Sequence, residues 1–262
     1  IVKIPKSAGQ LEEQLHRVRP VLHPDSVIVG AGMTRHVHTS TIQLFESILG
    51  PTSTTPARKK ARLLLTTFDP TLEPPPNPWP RRWRHDGLEI VNHGGVFGSR
   101  SLDQGTRFLL EHLPDPQGAP QIIDLGCGNG VLGATLGRRH EGASMCFFDE
   151  SHIAVHSASA TWTANDLGPN AEFTVGPRLA AALPKGAADL IVNNPPFHTD
   201  RSRGDETAWQ MFVDSHRVLR PGGELRMVGN RHLGYHAKLR KIFGNCDVIA
   251  SNRKFVVLSA RR

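Results

Sequence analysis

The sequence predicts an α/β fold with a mostly parallel sheet that helices cover on both faces. A degenerate copy of the same fold, present only as its second half, is expected to precede it. Three observations lead to this prediction. Short apolar runs alternate with helical patterns through the later part of the 262-residue chain, as parallel sheets require. A glycine-rich turn at residues 124–130 separates one apolar run from a helix start. Residues 1–68 repeat the pattern of the C-terminal end.

The glycine-rich turn reads Asp-Leu-Gly-Cys-Gly-Asn-Gly, and it follows the apolar run 121–123. Glycines permit a tight turn and close backbone approach, and the N–H groups at the helix start are expected to face a ligand. The spacing differs from the dinucleotide pattern Gly-x-Gly-x-x-Gly. The leading acid instead fits a contact to the ammonium of a methionine moiety. The expected ligand-binding residues here are Asp124, Gly126, Cys127, Gly128, Asn129 and Gly130.

A second apolar run, residues 144–148, ends at Asp149 and Glu150. An acidic residue at the end of the second strand is placed to accept hydrogen bonds from ribose hydroxyls. Together with the glycine turn, these two acids predict a site for a nucleoside that carries a methionine group.

The third motif is Asn194-Pro195-Pro196-Phe197, after another apolar run. An exocyclic amine on a base is a poor nucleophile, because its lone pair is delocalised. Acceptors aimed at its N–H bonds, the Asn194 side-chain oxygen and the Pro195 carbonyl, expose the lone pair. Phe197 offers a face for stacking the target ring. The motifs together predict an enzyme that methylates a planar nitrogen with S-adenosylmethionine, with Asn194 also lying near the cofactor.

Charge favours a polyanionic substrate. The formal net charge is +7 and the sequence pI is about 9.8, and basic residues beside a base-modifying site indicate a nucleic acid. The alternative is a solvated basic face without a partner. The expected RNA-binding residues are Arg58, Lys59, Lys60, Arg81, Arg82, Arg84 and His198.

Other features of the composition indicate a cytoplasmic protein without a metal site. No apolar run is long enough to cross a membrane, and three scattered cysteines suit a reducing cytoplasm. The histidines lack cysteine or acidic companions at ligand spacing, so no metal site is expected. The chain begins with Ile1 and has no leader pattern, which we interpret as a fragment of a longer protein.

The internal repeat defines the expected domains. Segment 2–6 corresponds to 192–196, 19–30 to 219–229, and 58–65 to 252–258. The first copy has Ile4 in place of the catalytic asparagine and carries no glycine turn, so it should be catalytically dead. We expect a degenerate domain at 1–68, a proline-rich linker at 69–85 and a catalytic domain at 86–262. Chance similarity between two β-helix-β runs is the alternative.

These motifs resemble those of the bacterial ribosomal RNA guanine-N2 methyltransferases. The segments 241–246 and 252–258, and the early His38-Thr39-Ser40-Thr41, are similar to the large-subunit type. The resemblance covers nearly the whole chain and implies a Rossmann-like methyltransferase sheet behind a degenerate N-terminal domain, S-adenosylmethionine as cofactor and no metal. It implies 23S rRNA, naked or in a subunit precursor, as the partner, with no membrane and no obligatory protein partner.

One position departs from the family pattern. After the third strand such enzymes usually carry Asn or Asp for the adenine amine, whereas Gly176, Pro177 and Arg178 stand here. The adenine contact is therefore not assigned to a side chain.

Three alternatives stay open at this level. The first is the small-subunit guanine-N2 methyltransferase, which shares the duplicated plan. Adenine-N6 and glutamine-N5 methyltransferases more often have Tyr at the fourth motif position and lack the dead copy. A non-catalytic RNA-binding protein that keeps the fold is the third. The intact asparagine motif and glycine turn argue against it.

Overall fold

The computed structural model describes residues 1–98, 101–196 and 201–262, except for the side chains of residues 201–205. The chain forms two units. The first comprises Ile1–Arg81 with His93–Val96, and the second comprises Arg82–Asn92 with Phe97–Arg262. Within the described ranges, no helix combines the length and apolar character needed to cross a membrane.

The first unit contains a four-stranded sheet in the order β1-β2-β4-β3. Strand β1 pairs with β2 in parallel, and β4 runs antiparallel to both β2 and β3. Two amphipathic helices bury Leu11, Leu15 and Phe45 in its core, and each such side chain contributes roughly 1.5–3 kcal/mol by leaving water. The elements are β1 (Val2–Lys3), α1 (Ala8–Val18), β2 (Val27–Met33), α2 (Thr39–Ile48), β3 (Thr52–Thr54) and β4 (Ala61–Thr67).

The proline-rich segment is shorter than the expected linker of residues 69–85. It packs on the first unit, where the Trp79 ring is buried and its indole nitrogen donates to a Glu12 carboxylate oxygen at 2.8 Å. Residues Arg81–His85 then form strand β5, which pairs with β6 (Leu88–Asn92) as a two-stranded sheet. The turn between them is Asp86-Gly87, both at positive φ. An Asp-Gly pair is a strong hairpin signal, so the sequence already indicated that the linker ends before residue 81.

The second unit contains a seven-stranded sheet in the order β12-β13-β11-β10-β7-β8-β9. All neighbouring strands are parallel except β13, which lies antiparallel between β11 and β12. The strands are β7 (Gln121–Leu125), β8 (Ser144–Asp149), β9 (Ala171–Val175), β10 (Ala188–Asn193), β11 (Leu219–Asn230), β12 (Asp247–Ser251) and β13 (Phe255–Arg261).

Helices cover both faces of this sheet. Neighbouring residues on one strand point to opposite faces, and here Ile122 and Ile123 are both buried, each in a different apolar cluster. The predicted α/β fold with a doubly covered sheet is therefore confirmed. The helices are α3 (Gln104–Leu110), α4 (Val131–Arg139), α5 (His152–Ala164), α6 (Leu179–Ala182), α7 (Arg201–Val218) and α8 (Tyr235–Phe243).

The first unit repeats the topology of the second half of the large sheet. Strands β1, β2, β3 and β4 correspond to β10, β11, β12 and β13, with the same directions and the same order. Hydrogen bonds at the last hairpin also correspond. Thr34 N donates to Lys60 O at 2.9 Å, and Arg231 N donates to Lys254 O at 3.0 Å. The expected half copy of the fold is present.

The strand registers correct one detail of the repeat. Met33 pairs with Ala61 as Asn230 pairs with Phe255. Three residues earlier on each strand, Gly30 of β2 matches Met227 of β11. Gly30 pairs in parallel with Val2, and Met227 pairs in parallel with Asn193, so Val2 matches Asn193. The next residue, Lys3, therefore occupies the position of Asn194, and Ile4 does not. Sequence alignment missed this because β1 is too short to fix its own register.

Candidate active site

The glycine turn connects the end of β7 to the start of α4. Gly126, Gly128 and Gly130 have φ values of +69°, +54° and +77°, a region that L residues rarely adopt. Gly130 also packs closely on α5, because a Cβ there would lie 2.9 Å from the Ala158 Cα. At Gly128, by contrast, a Cβ would meet no atom of the described chain within 4 Å. The turn is thus fixed by its glycines and open on one side.

Several N–H groups of this turn and of the start of α4 are hydrogen-bonded within the protein. Gly128 N donates to Asp149 Oδ2 at 3.1 Å, and Gly133 N donates to Asp124 Oδ2 at 2.9 Å. The side chain of Asn129 accepts from Val131 N and donates to Asn92 Oδ1 at 2.7 Å. A phosphate would need such donors. Their use within the protein suits a ligand without phosphate.

Asp124 is buried, and its two carboxylate oxygens differ. Oδ2 accepts from Gly133 N, whereas Oδ1 has no hydrogen-bond partner in the described chain. Burial raises the pKa of Asp124 to about 8, and the nearby Asp149 carboxylate adds to this effect. A buried acceptor without a partner is costly, so this oxygen has the properties needed to receive a ligand ammonium.

Asp149 and Glu150 end β8 in different environments. Asp149 Oδ1 accepts from Ser151 N at 2.9 Å, and burial raises the pKa of its carboxyl group. Its oxygens keep lone pairs for ribose hydroxyls. Glu150 is exposed. Cys127, inside the turn, is buried, and burial raises the pKa of its thiol well above the usual value, which keeps it protonated.

Asn194 follows β10 and has a fixed amide orientation. Its Nδ2 donates to the Thr106 hydroxyl at 2.8 Å, and its Oδ1 is buried without a hydrogen-bond partner in the described residues. Thr106 belongs to the first turn of α3, where Asp103 caps the helix by accepting from Gly105 N and Thr106 N. Thr106 was missed, because it is remote from Asn194 in the chain.

The next residues extend this edge. Pro195 is buried and Pro196 is exposed. The predicted stacking residue Phe197 and the predicted RNA contact His198 lie outside the described residues.

Asn193 joins the asparagine motif to the glycine turn. Its side chain is fully buried, and Nδ2 donates to Leu125 O at 2.6 Å at the end of β7. Because β7 and β10 pair in parallel, the two motifs end at the same edge of the sheet. Sequence analysis did not select Asn193. Its position directly before Asn194 could have indicated that Asn193 belongs to the site.

Two family models match the chain. One describes a methyltransferase small domain and covers residues 87–259, and the other describes an RLMG N-terminal domain and covers residues 1–70. Ribosomal RNA large subunit methyltransferase G from Streptomyces coelicolor is 51% identical, over 99% of this chain and 71% of that protein. The protein of the same name from Erwinia tasmaniensis is 46% identical, over 98% of this chain and 69% of that protein.

The chain belongs to the ribosomal RNA large subunit methyltransferase G family.

A solved structure agrees with this assignment. The 16S rRNA N2 G1207 methyltransferase of T. thermophilus, in complex with AdoMet and guanosine, matches with a TM-score of 0.81 and 26% identity, over 99% of this chain and 71% of that chain. The predicted large-subunit resemblance and the predicted methyltransferase class are confirmed. As a member of the methyltransferase G family, the chain uses S-adenosylmethionine. The unpartnered Asp124 oxygen and the open space at Gly128 fit that cofactor.

Arg178 stands near the position where the family pattern has an acid or amide for the adenine amine. Arg178, which follows Gly176 and Pro177, pairs with Asp214, with 2.7 Å between Nη2 and Oδ1. Its guanidinium is therefore already paired with a carboxylate.

The predicted RNA-binding residues of the chain have different surroundings. Arg58, Lys59 and Lys60 are exposed at the turn between β3 and β4. The Arg81 guanidinium lies over the Trp79 ring, 4.5 Å from its centroid, and Arg82 forms an ion pair with Glu89. Arg84 is exposed.

Proposed function

We propose that the protein transfers the methyl group of S-adenosylmethionine to the exocyclic N2 amine of a guanine in 23S rRNA. The observation that carries this proposal is the buried, unpartnered Oδ1 of Asn194, whose direction Thr106 fixes. The names of the relatives support a large-subunit substrate. The guanosine bound to the T. thermophilus enzyme supports guanine as the base.

The protein acts on the amine through preorganised acceptors. One amine N–H donates to Asn194 Oδ1 and the other to the Pro195 carbonyl, so the nitrogen lone pair is directed away from both. These acceptors are in place before the reaction, which lowers the barrier because no polar group must reorganise. A strong base is not required, since the amine becomes acidic once it is methylated and its proton can pass to water.

The cofactor residues act by position. When bound, S-adenosylmethionine supplies an electrophilic methyl group. Asp124 would hold its ammonium through Oδ1, and Asp149 would accept from its ribose hydroxyls. Because β7, β8 and β10 end at one edge, these residues bring the methyl donor and the amine together, and proximity contributes to the rate.

We propose that the protein works in the bacterial cytoplasm, because its proposed substrate is a bacterial ribosomal RNA. A guanine of 16S rRNA is the second candidate substrate. The structural similarity to a 16S rRNA enzyme favours it, and the more similar relatives named for the large subunit favour 23S rRNA.

The test is methyl transfer from isotopically labelled S-adenosylmethionine to purified rRNAs, followed by digestion and mass spectrometry of the nucleosides. We expect label in 23S rRNA as N2-methylguanosine. Label only in 16S rRNA would replace the proposed substrate. Cofactor binding without transfer to free rRNAs or to ribosomal subunits would identify a non-catalytic member of the fold.

A further inference from the structure

The hairpin between β12 and β13 presents a basic turn at its tip. Arg253 and Lys254 are exposed there. Asn252 closes the turn, because its side-chain oxygen accepts from Lys254 N at 2.9 Å and from Phe255 N at 2.7 Å. The two cations are thus displayed on a hydrogen-bonded turn.

A third cation joins them from the end of β11. Arg231 N donates to Lys254 O at 3.0 Å, and Arg231 Nη1 donates to Asn252 O at 3.2 Å. We name Arg231, Arg253 and Lys254 the basic tip. The Lys254 ammonium contacts only neutral groups in the interactions described, the Gln104 side chain at 3.3 Å and the Phe255 ring at 5.0 Å. Its charge is available to an anion.

The basic tip lies beside the asparagine motif. Strand β13 neighbours β11, and β11 neighbours β10. Asn193 pairs with Met227, three residues before the Asn230–Phe255 pair at the end of β11, so the tip is two strand spacings, about 10 Å, across the sheet and about 10 Å further along the strands from Asn194. In addition, Lys254 reaches Gln104, the first residue of the helix that carries Thr106.

The first unit has cations at the corresponding turn. Lys59 and Lys60 match Arg253 and Lys254 by the hydrogen bonds that close the two hairpins. Both lysines have positive φ, +50° and +62°, where glycine or asparagine is preferred. The two strands that follow, β4 and β13, share little sequence. Two cations at one turn in both copies therefore point to a role in binding anions rather than in folding.

We infer that the basic tip binds the phosphodiester backbone of the RNA next to the target guanosine, an inference that rests on the proposed function. Arginine and lysine are the usual phosphate contacts in RNA complexes, with arginine able to donate two parallel hydrogen bonds. Such contacts fix the position of the nucleotide and do not read its sequence. The basic tip holds the backbone while the base enters the acceptor site at Asn194.

The experiment compares two double variants with equal loss of charge. Arg253→Gln with Lys254→Gln removes two cations from the tip. Arg240→Gln with Lys241→Gln removes an exposed arginine and lysine from the last turn of α8, which leads into β12 at Asp247, the end of the hairpin remote from the tip. Binding of 23S rRNA is measured as a function of salt concentration for both variants and the wild type, with melting temperatures and S-adenosylmethionine affinity as controls on folding.

We expect the tip variant to lower the slope of log affinity against log salt by roughly 1.4–1.8, since each phosphate contact contributes about 0.7–0.9. The KM for rRNA should rise at least about tenfold while cofactor affinity stays unchanged. The α8 variant should keep the wild-type slope. Equal slopes for the tip variant and the wild type would overturn the inference, and so would equal losses in both variants.

This outcome is separable from the proposed function. Absence of N2-methylguanosine with the wild-type protein would defeat the function itself, whatever the binding slopes show. Normal methylation by the wild type, together with an unaltered slope and KM in the tip variant, would defeat only the basic tip.

Discussion

Two parts of the molecule share one topology and differ in chemistry. Strands β1–β4 with α1 and α2 repeat β10–β13 with α7 and α8, including the antiparallel last strand and its hairpin. Only the second set ends a strand with Asn193-Asn194-Pro195 and lies next to a glycine turn. The first set has Lys3 at the position of Asn194. Strand order thus depends on the apolar pattern, whereas catalysis depends on a few residues at one strand end.

The comparison also shows what a half sheet lacks. In the second unit, Asn193 Nδ2 donates to Leu125 O across the β7–β10 pair, which ties the asparagine motif to the cofactor turn. In the first unit, β1 is the edge strand of its sheet in the described chain. We therefore propose that residues 1–68 do not catalyse methyl transfer.

The largest expected effect distinguishes the two matching positions directly. Asn194→Ala removes the acceptor for the amine and should slow single-turnover methyl transfer by roughly a hundredfold or more. Lys3→Ala, at the matching position of the other copy, should leave the rate within about twofold. Rapid-quench transfer to 23S rRNA measures both rates. An active Asn194→Ala variant would exclude Asn194 from the mechanism.

The next effect concerns the cofactor half of the site. Burial raises the pKa of Asp124 to about 8, so below that pH its carboxyl group is mostly protonated in the free protein. Binding of an ammonium requires the carboxylate and must release this proton. Affinity for S-adenosylmethionine should therefore fall roughly tenfold per unit as the pH decreases from about 8 to about 6.

Calorimetry at several pH values, in buffers of different ionisation enthalpy, measures both the affinity and the released proton. The matched variant Asp124→Asn should bind more weakly and show a flatter pH profile. A wild-type affinity that does not change over this range would mean that Asp124 does not contact the ammonium.

A smaller effect is expected at Thr106, which positions Asn194. Thr106→Val keeps the shape of the side chain and removes the hydroxyl that accepts from Asn194 Nδ2. The loss of about 0.5–1.5 kcal/mol should lower kcat by roughly two- to twelvefold with little change in cofactor affinity. Thr106→Ser should restore the rate. If valine and serine variants were equally impaired, the role of the hydroxyl would be refuted and a packing role would explain the loss.

The smallest effect tests a role for the first unit. We propose that Arg58, Lys59 and Lys60 contact RNA phosphates, and their joint replacement by Ala should reduce the salt slope of rRNA binding by about two. Cofactor affinity should not change. A salt slope equal to that of the wild type would show that these charges only face water and that the first unit has another role.

Much of this architecture could be predicted from the sequence. The apolar runs predicted the parallel strands, and the residue types of the two motifs predicted the shared edge that carries Asp124 and Asn194. Contacts between distant segments could not be predicted, because one sequence gives no pairing between them. Thr106 was missed for this reason. The acceptors of Gly128, Val131 and Gly133 N, which are Asp149, Asn129 and Asp124, could not be predicted either, and the alignment of Ile4 with Asn194 was wrong by one residue.

The most direct test of the account is the number of cofactors that the chain binds, measured by titrating S-adenosylmethionine into the wild type and into Asn194→Ala. One functional copy predicts one cofactor per chain in both proteins, with similar affinity, while only the wild type methylates rRNA. Two cofactors per chain would contradict the proposal that the first copy is inactive. Loss of S-adenosylmethionine binding in Asn194→Ala would contradict the proposal that the glycine turn binds the cofactor while Asn194 acts on the target amine.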